Sequence, residues 1–290
     1  MSPDPAGPAP AAVETALGAP GAPGAPGAPG APIPIRTLPN LRDLGGWPLP
    51  GGRVRHGLVY RSTELGLLSD DDLGRVAGLG LRVVIDLRTA CERDAAPDRL
   101  PPGARGLVAD VLADSAGAAP AQLEQVVSNP DAAAAALGGG RAAELFASAY
   151  RDVIDLPSAR RAYRLLFTTL AEAESRPTLF HCTTGKDRTG WAAASLLLLL
   201  GVDEADVRRD YLLTNEQLRP ALQPVFDAFA AAGGDPELLE PVLGVRREYI
   251  DATLARMHAQ FDGVEDYVVR GLGVDPAVPD VLREALIERG

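Results

Sequence analysis

Lysine is almost missing from this chain of 290 residues. Of 28 Lys+Arg, Lys186 is the single lysine and 28 − 1 = 27 are arginines. So strong a bias reads as a genome-wide coding preference, which marks the exception as a place where the lysine side chain itself is needed. Cysteine is scarce as well, with only Cys91 and Cys182. Two cysteines are too few for a disulfide framework and point to a reducing compartment. Cations are in deficit: 28 against 39 Asp+Glu gives 28 − 39 = −11. That balance argues against nucleic-acid binding, which needs clustered cations. The most apolar run, Trp191–Val202, has 12 residues, whereas a bilayer span needs about 20. It reads as a core helix, and no stable membrane insertion is expected. The opening MSPDPAGPAP has neither the basic nor the apolar region of a signal peptide. A cytoplasmic location is expected, with signal-independent secretion left open.

What is present suits a folded protein: 46% hydrophobic and 23% charged residues. Residues 1–33 are nearly all Ala, Pro and Gly, with Gly-Ala-Pro repeated from Gly18 to Pro32. This stretch cannot bury a core and reads as a disordered or polyproline-like tail. Residues 34–290 read as one domain. Four short apolar segments read as buried strands: Leu58–Tyr60, Val83–Leu87, Leu107–Asp110 and Thr178–Cys182. Helical patterns separate them: a Ser69-capped helix with acids in its first turn, then Arg141–Ile154 and Ala159–Ala173. From Val202 onward the pattern is helical throughout. Strands alternating with helices give an α/β fold with a central, mainly parallel sheet.

The informative string is Thr178-Leu-Phe-His-Cys-Thr-Thr-Gly-Lys-Asp-Arg-Thr-Gly190. Cys182 precedes Arg188 by six positions, a weak signal in an arginine-rich chain. Context sharpens it: a strand enters the cysteine, a glycine lies mid-loop and a helix starts at the arginine. Strand, loop and helix make an anion cradle. Successive backbone N–H groups of the loop from Thr183 through Thr184, Gly185, Lys186 and Asp187 to Arg188 would point inward, and Gly185 permits the turn. Arg188 adds a fork to two phosphate oxygens. A cysteine in that field is expected to serve as a thiolate nucleophile. Thr189 could hydrogen-bond the sulfur, Lys186 could contact the ligand, and His181 is expected to support the cysteine backbone. No zinc-type ligand spacing is present, and neither metal nor cofactor is called for.

These residues resemble the signature loop of cysteine-dependent tyrosine phosphatases. The chain is similar to the bacterial family of these enzymes that includes the mycobacterial secreted phosphatase B. The resemblance rests on HCTTGKDRTG with Asn40-Leu-Arg-Asp-Leu-Gly-Gly46, Tyr60-Arg-Ser62 and Val84-Ile-Asp-Leu-Arg88. Downstream, Asp210-Tyr-Leu-Leu-Thr-Asn215 and Gly263-Val-Glu-Asp-Tyr267 also match, so it spans residues 34–290. It implies the tyrosine phosphatase fold, with Cys182 as nucleophile and Arg188 as phosphoryl ligand. Lys186 and Asp187 match members resembling phosphoinositide phosphatases, so phosphotyrosine proteins and phosphoinositides are both implied substrates. Some members carry a helical lid. Here 218–243 is the first candidate and 111–140 the second.

A tyrosyl leaving group calls for a general acid. Asp86 ends a strand on the edge that carries the Cys182 loop and is favoured, unless it pairs with Arg88 or Arg61. Asp187 lies in the loop itself. Asp110 and Asp155 are more remote. Asn40, Arg42 and Asp43 read as structural or supporting residues. Competing functions are a phosphoinositide phosphatase with little protein substrate, a phosphate-binding module without turnover, and a sulfurtransferase or arsenate reductase. Cys91 reads as a small hydrophobe, with an oxidative bridge to Cys182 as the alternative.

Overall fold

The computed structural model describes residues 27–115, 129–139, 141 and 150–290. Strands β4 (Val59–Ser62), β5 (Val83–Asp86), β6 (Arg105–Val108) and β7 (Thr178–His181) pair in parallel in the order β4-β7-β5-β6. Strand β1 (Arg42–Asp43) joins β4 antiparallel at one edge. Helices cover both faces, so the inner strands read as unbroken apolar runs. Their alternation divides the core. Val83, Ile85 and Phe180 face the larger cluster under the helices Pro157–Ala171 and Arg188–Leu200. Tyr60, Val84 and Leu179 face the smaller one under the helix Asp70–Ala77.

Register sets the position of the site. Ser62 and Asp86 lie opposite His181 on its two sides. Three strands therefore end at one level, and the segments that follow them meet there, as in other parallel sheets.

The Ser69 cap forms, its hydroxyl accepting from Asp72 N at 3.2 Å. The helix read as Ala159–Ala173 spans Pro157–Ala171. The helix read as Arg141–Ile154 lies largely outside the described residues. Strand β6 sits two residues earlier than its expected position. As an edge strand it is largely exposed, while Ala109, which lay within the expected span, and Val111 are buried just beyond it. The C-terminal region is helical except for β8 (Ile287–Arg289). This strand pairs with β3 (Gly52–Val54), which also pairs with β2 (Pro48–Leu49). Arg53 and Glu288 form an ion pair across β3 and β8 at 2.9 Å. Three residues are too few to show a period.

The sequence places a tail at 1–33, and 1–26 lie outside the described residues. Residues 27–33 pack on the domain. Pro32 bridges Arg42, Ile33 N donates to Leu41 O at 2.8 Å, and Gln217 donates to Gly30 O at 2.7 Å. No helix among the described residues is long and apolar enough to cross a membrane.

The two lid candidates meet. The segment 218–243 comprises the end of the helix Glu204–Ala231 and the turns Pro236–Leu238 and Glu240–Leu243. Its Phe226, Phe229, Leu239, Val242 and Leu243 form a small cluster of their own. Ala133 and Leu137 of the helix Pro130–Leu137 complete that cluster.

Candidate active site

The loop between β7 and the helix Arg188–Leu200 is held from behind through its carbonyl groups. Cys182 O accepts from His181 Nδ1 at 3.1 Å, and Thr183 O from Glu64 N at 3.1 Å. Asn40 Nδ2 donates to Thr184 O at 3.4 Å and Gly185 O at 3.1 Å, and Arg61 Nη2 donates to Gly185 O at 2.8 Å. With four successive carbonyls tied outward, the peptide units are turned. Among the described residues, the N–H groups of Thr183, Thr184, Gly185 and Asp187 meet no protein acceptor. This is the concave ring of donors an anion needs. Gly185 has φ +66° and a Cβ there would lie 2.3 Å from Ser62 O, so glycine is required on two counts.

The family segments carry this scaffold. Asn40 adopts φ 59°, unusual outside glycine, which aims its amide at the loop. Arg42 and Arg61 are fully buried and share Asp210, at 3.0 and 2.6 Å. Burial and neighbouring Arg42 lower the pKa of Arg61 to about 10, against the pull of Asp210. Two buried cations to one carboxylate leave net positive charge behind the loop. Asp43 supports a turn, accepting from Gly45 N and Gly57 N.

Arg188 is preset by a residue the sequence reading missed. Glu92 accepts from Nη1 and Nη2 of Arg188, each at 2.7 Å, and from Thr183 Oγ1 at 2.5 Å. Nη1 also reaches Leu87 O at 3.5 Å. A guanidinium has five N–H donors. The Nε–H and the second Nη2–H, adjacent on one edge, form a fork that these contacts leave for a ligand. Burial would lower the pKa of Arg188, but the Glu92 carboxylate outweighs it and the guanidinium is held firmly charged. Burial likewise pushes the carboxyl of Glu92 up, and Arg188 and Thr183 reverse this, leaving it well below the ordinary range. The available signal was local: Thr89 and Glu92 form a capping box on the helix Ala90–Ala95.

The expected site residues separate into two groups. Cys182, Thr183, Thr184, Gly185, Lys186, Asp187, Arg188 and Thr189 come together at the loop and the helix start. Thr189 Oγ1 is buried with no protein partner among the described residues. Lys186 is 4% exposed, with Nζ at 3.1 and 3.0 Å from the two carboxylate oxygens of Asp187 and 3.4 Å from Gly244 O. Gly244 also borders a cleft lined by Asn215, Leu218, Leu222, Phe226 and Leu243.

Asp86, the favoured acid in the sequence reading, is placed otherwise. Its oxygens accept from Arg88 N and Nε at 2.9 Å and from Nη2 at 2.7 Å. The strand end points this side chain at Arg88 rather than at the loop. Arg88 also binds Glu64 at 2.5 Å and Asp98 at 2.8 Å. Asp98 in turn holds His181 Nε2 at 2.9 Å. Burial raises the pKa of Asp98, but His181 and Arg88 bring it below the ordinary value. Asp86, Asp98 and His181 bring ligand-type atoms within 4.8 Å of one another. Arg88 lies among the carboxylates and donates to both, which makes the cluster an ion-pair network. Asp110 accepts from Leu112 N, and Asp155 from Arg256 and Gln260. Cys91 is an exposed free thiol.

Comparison with known proteins identifies relatives of the chain. A protein of Cupriavidus necator, provisionally named a tyrosine-protein phosphatase, is 34% identical over 244 residues, 83% of this chain and 84% of its own. The triple specificity protein phosphatase of Mycobacterium tuberculosis is 28% identical over 280 residues, 87% of this chain and 99% of its own. A tyrosine-protein phosphatase of Nostoc commune is 31% identical over 237 residues, 79% and 74% of the two chains. The model of the tyrosine phosphatase family matches residues 33–288, nearly the whole of the described structure. The chain therefore belongs to the tyrosine phosphatase family and is an enzyme of it.

Proposed function

We propose that the enzyme hydrolyses phosphotyrosine in proteins by double displacement through a phosphocysteine at Cys182. The observation that carries this reading is the loop with its carbonyls fastened outward around a buried cysteine, facing the open fork of Arg188. The phosphoryl group sits on the loop N–H groups and that fork, which stabilise charge on its equatorial oxygens. The sulfur of Cys182 attacks phosphorus and the bond to the tyrosyl oxygen breaks. Asp187 supplies the proton to the leaving oxygen, then takes one from the water that releases phosphate. Thr189 offers its hydroxyl to the departing sulfur.

Asp187 is preferred to Asp86 because it is partly exposed at the loop mouth, its side chain 32% accessible. Asp86 keeps Arg88 in place. His181, gripped by Asp98, fixes the Cys182 carbonyl. We infer that the segment 218–243 covers the site, a reading supported by Lys186, which donates to O of Gly244 just beyond it at 3.4 Å.

A second substrate class is favoured by Lys186. Its buried ammonium at the loop suits a substrate with more than one phosphate, and one relative is named as having triple specificity. Phosphoinositides are therefore proposed beside phosphotyrosine. The thiol chemistry suits a reducing compartment, and the cytoplasm is the proposed one.

The test uses p-nitrophenyl phosphate with and without vanadate and EDTA. Turnover is expected to be blocked by vanadate, unaffected by EDTA and abolished in Cys182→Ser. Metal-dependent turnover, or activity retained in the variant, would contradict the reading. A panel of phosphopeptides and phosphoinositides with Lys186→Ala separates the substrate classes. A selective loss on phosphoinositides is expected.

A further inference from the structure

Asp187 is fastened from outside the loop by a pair of buried phenols. Tyr150 OH donates to Asp187 Oδ1, and Tyr211 OH donates to Tyr150 OH at 2.6 Å. We propose that Tyr150, braced by Tyr211, is the positioning residue that orients the Asp187 carboxyl for proton transfer. The proposal rests on the reading of Asp187 as general acid.

The two rings have little freedom. Tyr150 stacks on Tyr249 with centroids 5.0 Å apart and meets the edge of Tyr211 at 6.4 Å. Tyr249 OH is anchored to Pro241 O at 3.0 Å, and the backbone carbonyl of Tyr150 accepts from Thr253 at 3.0 Å. Tyr211 packs against Gly190 at the start of the helix Arg188–Leu200. A Cβ at Gly190 would come 2.8 Å from its Cε2. The last glycine of the signature loop thus makes room for the tyrosine of Asp210-Tyr-Leu-Leu-Thr-Asn215, and two distant motifs meet at Asp187.

The hydrogen bonds have a direction. A carboxylate only accepts, so Tyr150 must donate to it and must receive from Tyr211. Burial, followed by the negative charge of Asp187, pushes the pKa of Tyr150 well above the ordinary phenol value, and burial does the same for Tyr211. Neither phenol gives up its proton at neutral pH, so their role is orientation. Lys186 Nζ reaches both oxygens, at 3.1 and 3.0 Å, but the phenol binds Oδ1 alone, so Oδ2 is the oxygen left to hold the transferable proton. In the first step the S–P bond forms, the P–O bond breaks, and the Oδ2 proton moves to the leaving oxygen. In the second step the water oxygen bonds to phosphorus as the S–P bond breaks, and the water proton returns to Oδ2. Atoms and charge balance over the cycle.

The test compares Tyr150→Phe, Tyr211→Phe and Asp187→Asn on aryl phosphates whose leaving groups run from phenol to dinitrophenol. Losing a positioned hydrogen bond should lower kcat about tenfold with phenyl phosphate, since such bonds to charged groups are worth that much. The loss should fall to about twofold or less with dinitrophenyl phosphate, which leaves unaided. KM should stay within about twofold, and Tyr150→Phe added to Asp187→Asn should cost nothing further. Tyr211→Phe should show the same grading more weakly, and it carries the test should Tyr150→Phe not fold. An equal loss across leaving groups, or a change confined to KM, overturns the positioning role. If Asp187→Asn itself shows no grading, the acid reading fails. If Asp187→Asn is graded and both tyrosine variants are not, the positioning proposal alone fails.

Discussion

Replacing Gly185 by alanine tests the loop scaffold most sharply. The added Cβ would sit 2.3 Å from Ser62 O, 2.6 Å from its carbonyl carbon and 3.0 Å from Thr63 N. All three are backbone atoms at the end of β4, whose Ser62 is in register with His181. The residue also has φ +66°, which costs an alanine about 1 kcal/mol. To relieve the clash, the loop must draw away from β4 by about 1 Å, a shift that overpacked sites charge at ~1–3 kcal/mol. That movement stretches the bonds from Asn40 and Arg61 to Gly185 O, and a buried bond left unmade costs about 1–3 kcal/mol. The sum is about 3–7 kcal/mol. For a domain of this size it lowers Tm by about 6–28 °C. Thermal unfolding measures the first effect, and vanadate inhibition of p-nitrophenyl phosphate turnover measures the second. Vanadate should bind at least about tenfold more weakly, because the N–H ring no longer converges. Gly185→Ala with the parent Tm and parent vanadate affinity would refute the scaffold argument.

Glu92→Gln should keep the fold but leave Arg188 poorly oriented, lowering kcat/KM for p-nitrophenyl phosphate by about 100-fold. It should also cost about 2–3 kcal/mol at neutral pH, the low end for a broken buried pair because water reaches its rim. The pKa of Glu92 is depressed in the folded state. Its stabilisation is therefore complete above the unfolded value of about 4.3 and fades as pH falls below it. The Tm gap between parent and Glu92→Gln should be widest near neutrality and shrink under acid. A gap constant down to acid pH would contradict the pairing. Asp210→Asn removes the counter-charge of Arg42 and Arg61 and should cost about 3–5 kcal/mol in chemical unfolding; a near-neutral result would show that the network is dispensable. Asp86→Asn should lower Tm and reduce kcat equally for good and poor leaving groups. A loss graded by leaving group would return the acid role to Asp86.

The central strands and the signature loop were legible because both are local. Thr178–His181 is apolar on both faces, and the glycine of the loop marks its turn. The supports were less legible because they depend on register. Glu92 reads as half of a capping box, and nothing nearby in the chain says that its carboxylate also turns to Arg188. That follows only once β5 and β7 are neighbours. Asp86 was placed on the right edge, but Arg88 two residues on claims it, and side-chain direction at a strand end is not written in a motif. Asp98 lies in a loop with no pattern at all, although it holds both Arg88 and His181. Tyr150 is a lone tyrosine in a helical pattern, and its partner Asp187 is 37 positions away.

The central claim is that phosphate passes through the sulfur of Cys182. The direct measurement is rapid quench of Asp187→Asn with dinitrophenyl phosphate, followed by peptide mass analysis. That leaving group departs without an acid, while release from sulfur lacks its base, so the intermediate should accumulate. One phosphoryl group is expected on the Cys182 peptide, appearing with the burst of phenol. Steady turnover with Cys182 unmodified, or the phosphoryl group on another side chain, would contradict the account.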